Sequence, residues 1–335
     1  MLLYLIPKIM KNFIIRTLSI LLFSVSTTHA ADPLPSWHDG PAKQSIISFI
    51  NKTTQTGSPD FVPIEDRIAV FDNDGTLWSE QPNYVQLVFA MDRVKELAPR
   101  HPEWRVTQPF QSVLEGDLQT LRQQGEIGLL KLITATHAGM STTDFSQIVS
   151  DWLSKARHPI HKRPYTELVY LPMLEVLSYF KKHGFKNYIV SGGGVEFMRP
   201  WSNRVYGIPP EQVIGSSVKT KLITRDGTPE LMRLAEINFI DDKAEKPVAI
   251  HQFIGRRPIA AFGNSDGDLE MLQWVTSGSG ARLGAIIHHT DNEREVAYDR
   301  KSPVGHLDKA LDEAALRNWL VVNMKSDWSL IFKKW

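Results

Sequence analysis

Short apolar runs alternate with longer stretches of helical periodicity along the chain. Runs rich in β-branched and aromatic residues, which are typical of buried strands, lie at 68–71, 187–190, 212–218, 259–262 and 283–287. Apolar residues spaced three and four positions apart predict helices at 43–52, 84–98, 110–124, 144–155 and 172–183. Residues 221–228 predict a β-hairpin that turns at Asp226-Gly227. The alternation predicts an α/β fold with a mainly parallel sheet.

The helical patterns between residues 84 and 164 follow one another without an intervening strand pattern. The clearest of them, 144–155, is preceded by Ser141, whose hydroxyl is a favoured N-cap. We therefore predict a helical insertion over 84–164, between two parts of a core domain at 31–83 and 165–335.

The first 30 residues have the pattern of a secretory signal peptide. Lys11 and Arg16 precede an apolar run at 18–25, and small and polar residues follow at 26–31. An uncleaved membrane anchor is the alternative, but it needs about 20 continuous apolar residues, and Arg16 interrupts the run. We expect a signal peptide over 1–30, a periplasmic or secreted protein, and no stable membrane insertion after signal cleavage.

Composition narrows the function classes further. The chain has 335 residues, of which 42% are apolar, enough for a substantial core. Its formal net charge of +1 gives no reason to expect a nucleic-acid partner. It contains no cysteine, which excludes disulfides, thiolate metal sites and a cysteine nucleophile.

Polar clusters follow four of the predicted strands. They are Asp72 with Asp74, Ser191 with Gly192, Asn264 with Asp266 and Asp268, and His288 with His289 and Asp291. Any one of them could be only a turn, because Asp, Asn, Gly and Ser favour turns. The carboxyl ends of parallel strands meet at one edge of a sheet, where ligands bind. Together the clusters predict a reaction centre at that edge.

Phosphoryl transfer is the chemistry that suits these residue types. A carboxylate can approach an anionic phosphate ester only when a cation screens the repulsion, and Mg²⁺ prefers oxygen ligands. Asp72 is the candidate nucleophile, and Asp74 the candidate acid and then base. Ser191 and the backbone amides after it are candidates to hold the phosphate. Lys246 is the candidate to stabilise the intermediate, with Lys243 as its competitor.

Four motifs resemble those of a known family. Residues 72–76 read D-N-D-G-T and match the D-x-D-G-T signature of the haloacid dehalogenase superfamily. Residues 191–193, 246–247 and 263–268 resemble its second, third and fourth motifs, in the expected order. The resemblance covers about residues 65–292.

This resemblance implies a Rossmann-like core, Mg²⁺ dependence and an aspartyl-phosphate intermediate. Phosphatases of the superfamily have an aspartate two residues after the nucleophile and true dehalogenases do not, so Asp74 favours phosphate chemistry. The insertion after the first motif resembles the helical cap of the phosphoserine phosphatase branch. The expected function is a Mg²⁺-dependent phosphomonoesterase acting on a small phosphorylated metabolite.

The fourth motif departs from the family at Asn264, where many members have aspartate. The expected metal ligands are Asp72, Asp74, Asn264 and Asp268, with Asp268 ranked above Asp266.

The expected substrate contacts are Ser191, Gly192 and Glu80. Glu80 lies near the position of a substrate-binding glutamate in phosphoserine phosphatases, and its alternative is an exposed glutamate at a helix start. Trp78 and Tyr84 are either pocket walls or packing residues.

Three further interpretations stay open at this point. The basic segment 157–163 either attracts an anionic substrate or is a solvated loop, and the histidines at 288 and 289 receive no catalytic step. A hydrolase of C–P or C–halogen bonds on the same fold is one alternative function. A non-catalytic exported binding protein is the other.

Overall fold

A seven-stranded sheet in the order β4-β3-β2-β1-β5-β6-β7 forms the centre of the computed structural model, which describes residues 31–333. The strands are β1 Ile68–Phe71, β2 Lys186–Gly194, β3 Val213–Arg225, β4 Thr228–Phe239, β5 Ala260–Gly263, β6 Leu283–His288 and β7 Leu320–Asn323. All neighbouring strands are parallel except β3 and β4, which pair antiparallel. The predicted α/β fold with a mainly parallel sheet is therefore confirmed.

Helices connect the strands and cover the sheet. They are α1 Pro41–Thr54, α2 Val85–Leu97, α3 Phe110–Glu115, α4 Leu118–Gln123, α5 Gly125–His137, α6 Thr142–Lys155, α7 Leu171–Lys182, α8 Val195–Tyr206, α9 Glu245–Ile254, α10 Leu269–Thr276, α11 Lys309–Arg317 and α12 Met324–Asp327. None of the helices within residues 31–333 has the length and apolar character needed to cross a membrane. The predicted signal peptide lies outside the described residues.

Strand β1 is buried on both faces. Ala69 and Phe71 pack into a cluster that contains side chains of α1, α7 and α8, whereas Val70 packs against α9 and α10 on the opposite face. Successive side chains of a strand point to opposite faces, so a strand covered by helices on both sides must be apolar throughout. This explains why β1 reads as a continuous apolar run.

The helices between β1 and β2 include a group with a small core of its own. Side chains of α2, α3, α4 and α5 form a separate buried cluster. The predicted helix 110–124 is divided in two, because Gly116 takes a left-handed conformation (φ +76°) and Asp117 accepts a hydrogen bond from the backbone amide of Thr120. Ser141 caps α6 as expected, accepting from the amide of Asp144 at 3.0 Å. The limits of a cap at 84 and 164 stay a prediction.

The hairpin differs most from its prediction. Its turn lies at Asp226 and Gly227, as expected, and both residues have positive φ. The predicted strand 212–218 and the first strand of the hairpin are one continuous strand, β3, and the second strand, β4, extends to Phe239. Beyond Val218 most of this ribbon is exposed or half-exposed, so that part of its sequence carries no buried-strand pattern. Helix α5 lies within the predicted helical insertion but had no predicted bounds, and strand β7 had no prediction.

Candidate active site

The acidic pair lies where β1 ends. The amide of Asp72 donates to the carbonyl of Phe262 at 2.9 Å, which continues the β1–β5 pairing up to the carboxylate. Gly75 then turns the chain with φ +72°, and a Cβ there would lie 2.0 Å from Asn264 Nδ2 and 2.3 Å from Glu80 Oε1. Only glycine fits this turn, because both the conformation and the space exclude a side chain.

Lys246 joins two of the predicted site residues. It lies at the start of α9, is 2% exposed, and donates from Nζ to Asp72 Oδ1 at 2.8 Å and to Asp268 Oδ1 at 2.6 Å. Burial opposes its charge, but the carboxylates of Asp268 and Asp72 raise the pKa of Lys246 above its ordinary value. Lys246 therefore stays cationic. Its competitor Lys243 is exposed and does not line the active-site cavity.

Asp268 is held from both sides. Its Oδ1 accepts from Lys246, and its Oδ2 accepts from the backbone amides of Asn264 at 3.0 Å and Ser265 at 3.1 Å. In this geometry Asp268 positions Lys246, and it is fully buried and does not line the active-site cavity. Metal ligation by Asp268 stays a prediction.

Burial governs the two carboxyl groups at the end of β1. Burial raises the pKa of Asp72 well above its usual range, Asp268 raises it further, and Lys246 lowers it. Burial also raises the pKa of Asp74, while a hydrogen bond from Trp78 Nε1 to Asp74 Oδ1 at 2.9 Å lowers it. Asp74 thus keeps a proton at a higher pH than an ordinary carboxyl, which suits a general acid.

Segment 191–194 faces the acidic pair from the end of β2. The Ser191 hydroxyl is buried and accepts from the amide of Gly193 at 3.1 Å, while the Gly192 carbonyl accepts from Ser216 Oγ at 2.8 Å. A Cβ at Gly193 would lie 3.6 Å from Asp74 Oδ2, so this backbone comes close to the carboxylate. The structure thus brings Ser191 and Gly192 together with Asp72, Asp74 and Lys246.

Glu80 is buried, so its interpretation as an exposed glutamate is wrong. Its Oε1 accepts from Asn264 Nδ2 and from Tyr298 Oη, both at 2.7 Å, and burial raises its pKa well above the usual range. Asn264 also accepts at Oδ1 from Thr76 Oγ1 at 3.0 Å. Glu80 lines the cavity, but it is held through Tyr298, a residue that no sequence pattern indicated.

The donor set fits a hard divalent cation. Asp72, Asp74 and Asn264 offer oxygen atoms, and because burial raises the pKa of both Asp72 and Asp74, a bound cation would favour their charged forms. Within residues 31–333, no group of three or more Asp, Glu or His side chains is arranged to hold a metal. An ion here would therefore need amide, water and substrate oxygens as well.

Asp241, which follows β4, is a buried carboxyl group near Lys246 that no sequence pattern indicated. It is fully buried, and neither carboxylate oxygen has a well-formed hydrogen bond. Burial raises its pKa to about 8, Lys246 lowers it, and Asp242 raises it. Asp241 lies two residues after the end of β4 and five before Lys246, and because β4 carries no strand pattern, no sequence signal identified it.

Several candidates have structural contacts instead. His289 donates from Nε2 to the Gly75 carbonyl at 2.8 Å and so supports the turn after Asp74. His158, within the basic segment 157–163, is buried and donates to the Gln81 carbonyl at 2.6 Å. The interpretation of that segment as a solvated loop is therefore wrong for His158. Trp78 stacks on Trp201 with ring centroids 4.5 Å apart.

A cavity of about 440 Å³ opens beside these groups. Its polar end is lined by Asp72, Asp74, Segment 191–194 and Lys246, and it extends towards α5 and the β3–β4 hairpin. The site combines acidic side chains at the carboxyl end of the central parallel strand with a buried lysine and an adjacent cavity. This combination defines a hydrolase-type site on an α/β sheet that has helices on both faces.

The family model of the haloacid dehalogenase-like hydrolases matches residues 69–273, more than half of the chain. The chain therefore belongs to the haloacid dehalogenase-like hydrolase family. No curated protein sequence matches it.

Several solved structures are similar to this chain. A protein of unknown function from Bordetella pertussis has 15% identity and a TM-score of 0.48, over 77% of this chain and 98% of that one. A phosphoserine phosphohydrolase-like protein from Francisella tularensis has 16% identity and a TM-score of 0.39, over 75% and 98%. A probable phosphoserine phosphatase from Vibrio cholerae has 16% identity and a TM-score of 0.36, over 69% and 58%.

Proposed function

We propose that this protein is a Mg²⁺-dependent phosphomonoesterase that acts on a small phosphorylated metabolite through an aspartyl-phosphate intermediate. One observation carries the proposal: Lys246 holds one oxygen of Asp72, while Asp74 lies two residues further along the chain and faces Segment 191–194. The candidate nucleophile, the candidate proton donor and the backbone of 191–194 line one cavity, which supports this proposal.

In the first step, Asp72 Oδ2 attacks phosphorus and the bond from phosphorus to the alcohol oxygen breaks. Lys246 keeps Oδ1 in place, and Asp74 gives its proton to the departing alcohol. In the second step, the Asp74 carboxylate takes a proton from water, which attacks phosphorus and releases phosphate and the free Asp72 carboxylate. Ser191 and the amides after it hold the phosphate oxygens.

When bound, Mg²⁺ supplies positive charge that offsets the repulsion between the phosphate and the carboxylates. Asp72, Asp74 and Asn264 would hold it, with Asp268 as a further candidate after release of a hydrogen bond.

Phosphate release from a panel of phosphomonoesters tests this function. We expect release with Mg²⁺, loss of release with a chelator, and a fall of roughly a thousandfold or more for Asp72→Asn. Asp151→Asn, an exposed position on α6, is the matched control and keeps full activity. Equal phosphate release by Asp72→Asn and the unchanged protein would rule out the proposal. Release of halide from haloacids instead would favour the alternative hydrolase.

We also infer that the protein is exported and cleaved near residue 30, from the basic, apolar and small-residue order of its first segment. Cell fractionation and the intact mass of the purified chain test this. A full-length chain retained in the cytoplasm would contradict it.

A further inference from the structure

Helix α5 and the β3–β4 hairpin contribute six apolar side chains to the cavity lining, besides Ser216, Ser217, Arg233 and His137. We call these six side chains the apolar wall: Leu129, Leu130 and Ile133 of α5, and Val218, Ile237 and Phe239 of the β3–β4 hairpin. Hydrogen bonds between Gly139 and Arg233 and between Arg233 and Met140, both 2.9 Å, connect the end of α5 to β4. The helix and the hairpin therefore form one continuous surface beside the phosphate-binding end.

The arginine in this part of the lining already has partners. Arg233 is 4% exposed, forms an ion pair with Glu196, donates from Nε to the His137 carbonyl at 2.6 Å, and lies 4.0 Å from the centre of the Phe145 ring. Burial lowers the pKa of His137 to about 3, so this side chain is neutral. A substrate carboxylate or ammonium in this part of the cavity would have to compete with this partly buried ion pair.

We propose that the leaving group of the substrate is an apolar alcohol or phenol, so that the protein hydrolyses alkyl or aryl phosphates in preference to phosphoserine. This inference rests on the proposed phosphomonoesterase function. Burial of alkyl or aromatic surface against the apolar wall is favourable, whereas burial of the ammonium and carboxylate of a serine group there, without partners, is costly.

A series of n-alkyl phosphates from ethyl to octyl tests the proposal directly. The reacting bond is nearly the same along the series, so kcat/KM reports on contacts of the chain. We expect kcat/KM to rise about fourfold for each added methylene until the cavity is filled. Isobutyl phosphate, which has the branched shape of phosphoserine without its charges, should exceed phosphoserine by about tenfold or more.

Two substitutions in α5 locate the effect. Ile133 lines the cavity, whereas Ile127 is 71% exposed and does not. Ile133→Asn should lower the ratio of kcat/KM for hexyl over ethyl phosphate about tenfold, and Ile127→Asn should leave that ratio unchanged. Leu130→Asn is a second variant in the wall, and the ratio is independent of the fraction of folded enzyme.

The outcomes separate this inference from the function on which it rests. Equal kcat/KM along the alkyl series, or phosphoserine as the better substrate, overturns the apolar leaving group while leaving a phosphatase in place. Absence of phosphate release from every ester, ethyl phosphate included, overturns both. If Ile133→Asn and Ile127→Asn have the same ratio of kcat/KM for hexyl over ethyl phosphate, the apolar wall does not bind the substrate.

Discussion

Lys246 connects buried acidic side chains of the site. It contacts Asp72 and Asp268 together, and its charge partly offsets the burial that raises the pKa of Asp72 and of Asp241. The sequence indicated Lys246 through the proline that follows it in a family motif. It did not indicate Asp241, because nothing local distinguishes a buried aspartate from its half-exposed neighbour Asp242.

Replacing the lysine tests its role. Lys246→Met removes the cation between Asp72 and Asp268, so we expect phosphate release to fall by roughly a hundredfold or more. Lys243→Met, an exposed lysine three residues earlier, is the matched control and should retain activity. Similar rates for the two variants, measured by phosphate release, would contradict the assignment.

Asp241 should make stability depend on pH. Its pKa is raised by burial from an ordinary 3.8 to about 8, so between these values the folded chain keeps a proton that the unfolded chain has lost. The contribution of this proton to stability is complete below pH 4 and is lost as pH rises through 8. Asp241→Asn should therefore gain free energy of unfolding relative to the unchanged protein between pH 5 and 7, by about 1.4 kcal/mol per pH unit at most.

Urea unfolding with a chelator present measures this difference. Asp151→Asn, an exposed aspartate on α6, is the control, and the difference between its free energy of unfolding and that of the unchanged protein should stay flat over the same range. A flat difference for Asp241→Asn as well would show that Asp241 does not hold a proton in the folded state.

At the scale of helices and strands, the elements buried on both faces were the ones that the sequence pattern predicted best. Strand β1 was predicted correctly because helices on both faces require four apolar residues in a row. The length of the β3–β4 hairpin was not, since a ribbon exposed to solvent has no such requirement. Helix α5 has apolar side chains around much of its circumference, because one part packs on α2 and another lines the cavity. Its sequence therefore lacks a clear amphipathic period.

The turn after β1 offers a test at the same scale. Gly75→Ala places a Cβ within 2.0 Å of Asn264 Nδ2 at φ +72°, whereas Gly57→Ala has a similar φ of +88° and nothing within 4 Å. The backbone strain is therefore comparable, about 1 kcal/mol in each. Gly75→Ala should lose further stability and about a hundredfold of its phosphate release. Equal stability and activity in the two variants would contradict the close packing around Gly75.

At the scale of the whole molecule, the site gathers side chains from residue 72 to residue 298. The parallel sheet explains why the strand-end residues could be predicted to meet, because their common edge follows from topology. The burial of Glu80 could not be predicted, since it depends on Tyr298 in an irregular segment that packs back over the site. The shape of the cavity could not be predicted either, because it depends on the contact between α5 and the β3–β4 hairpin, which are far apart in sequence.

Trapping of a phosphoryl group on Asp72 tests the proposed mechanism most directly. Asp74→Asn removes both the acid of the first step and the base of the second. An aryl phosphate has a leaving group that departs without a proton, so with this substrate and Mg²⁺ the first step proceeds and the intermediate should accumulate. After acid quenching, mass spectrometry of the peptides should show one added phosphoryl group on Asp72, which hydroxylamine removes. Phosphate release without any label on Asp72, or a label on another residue, would contradict the proposed mechanism.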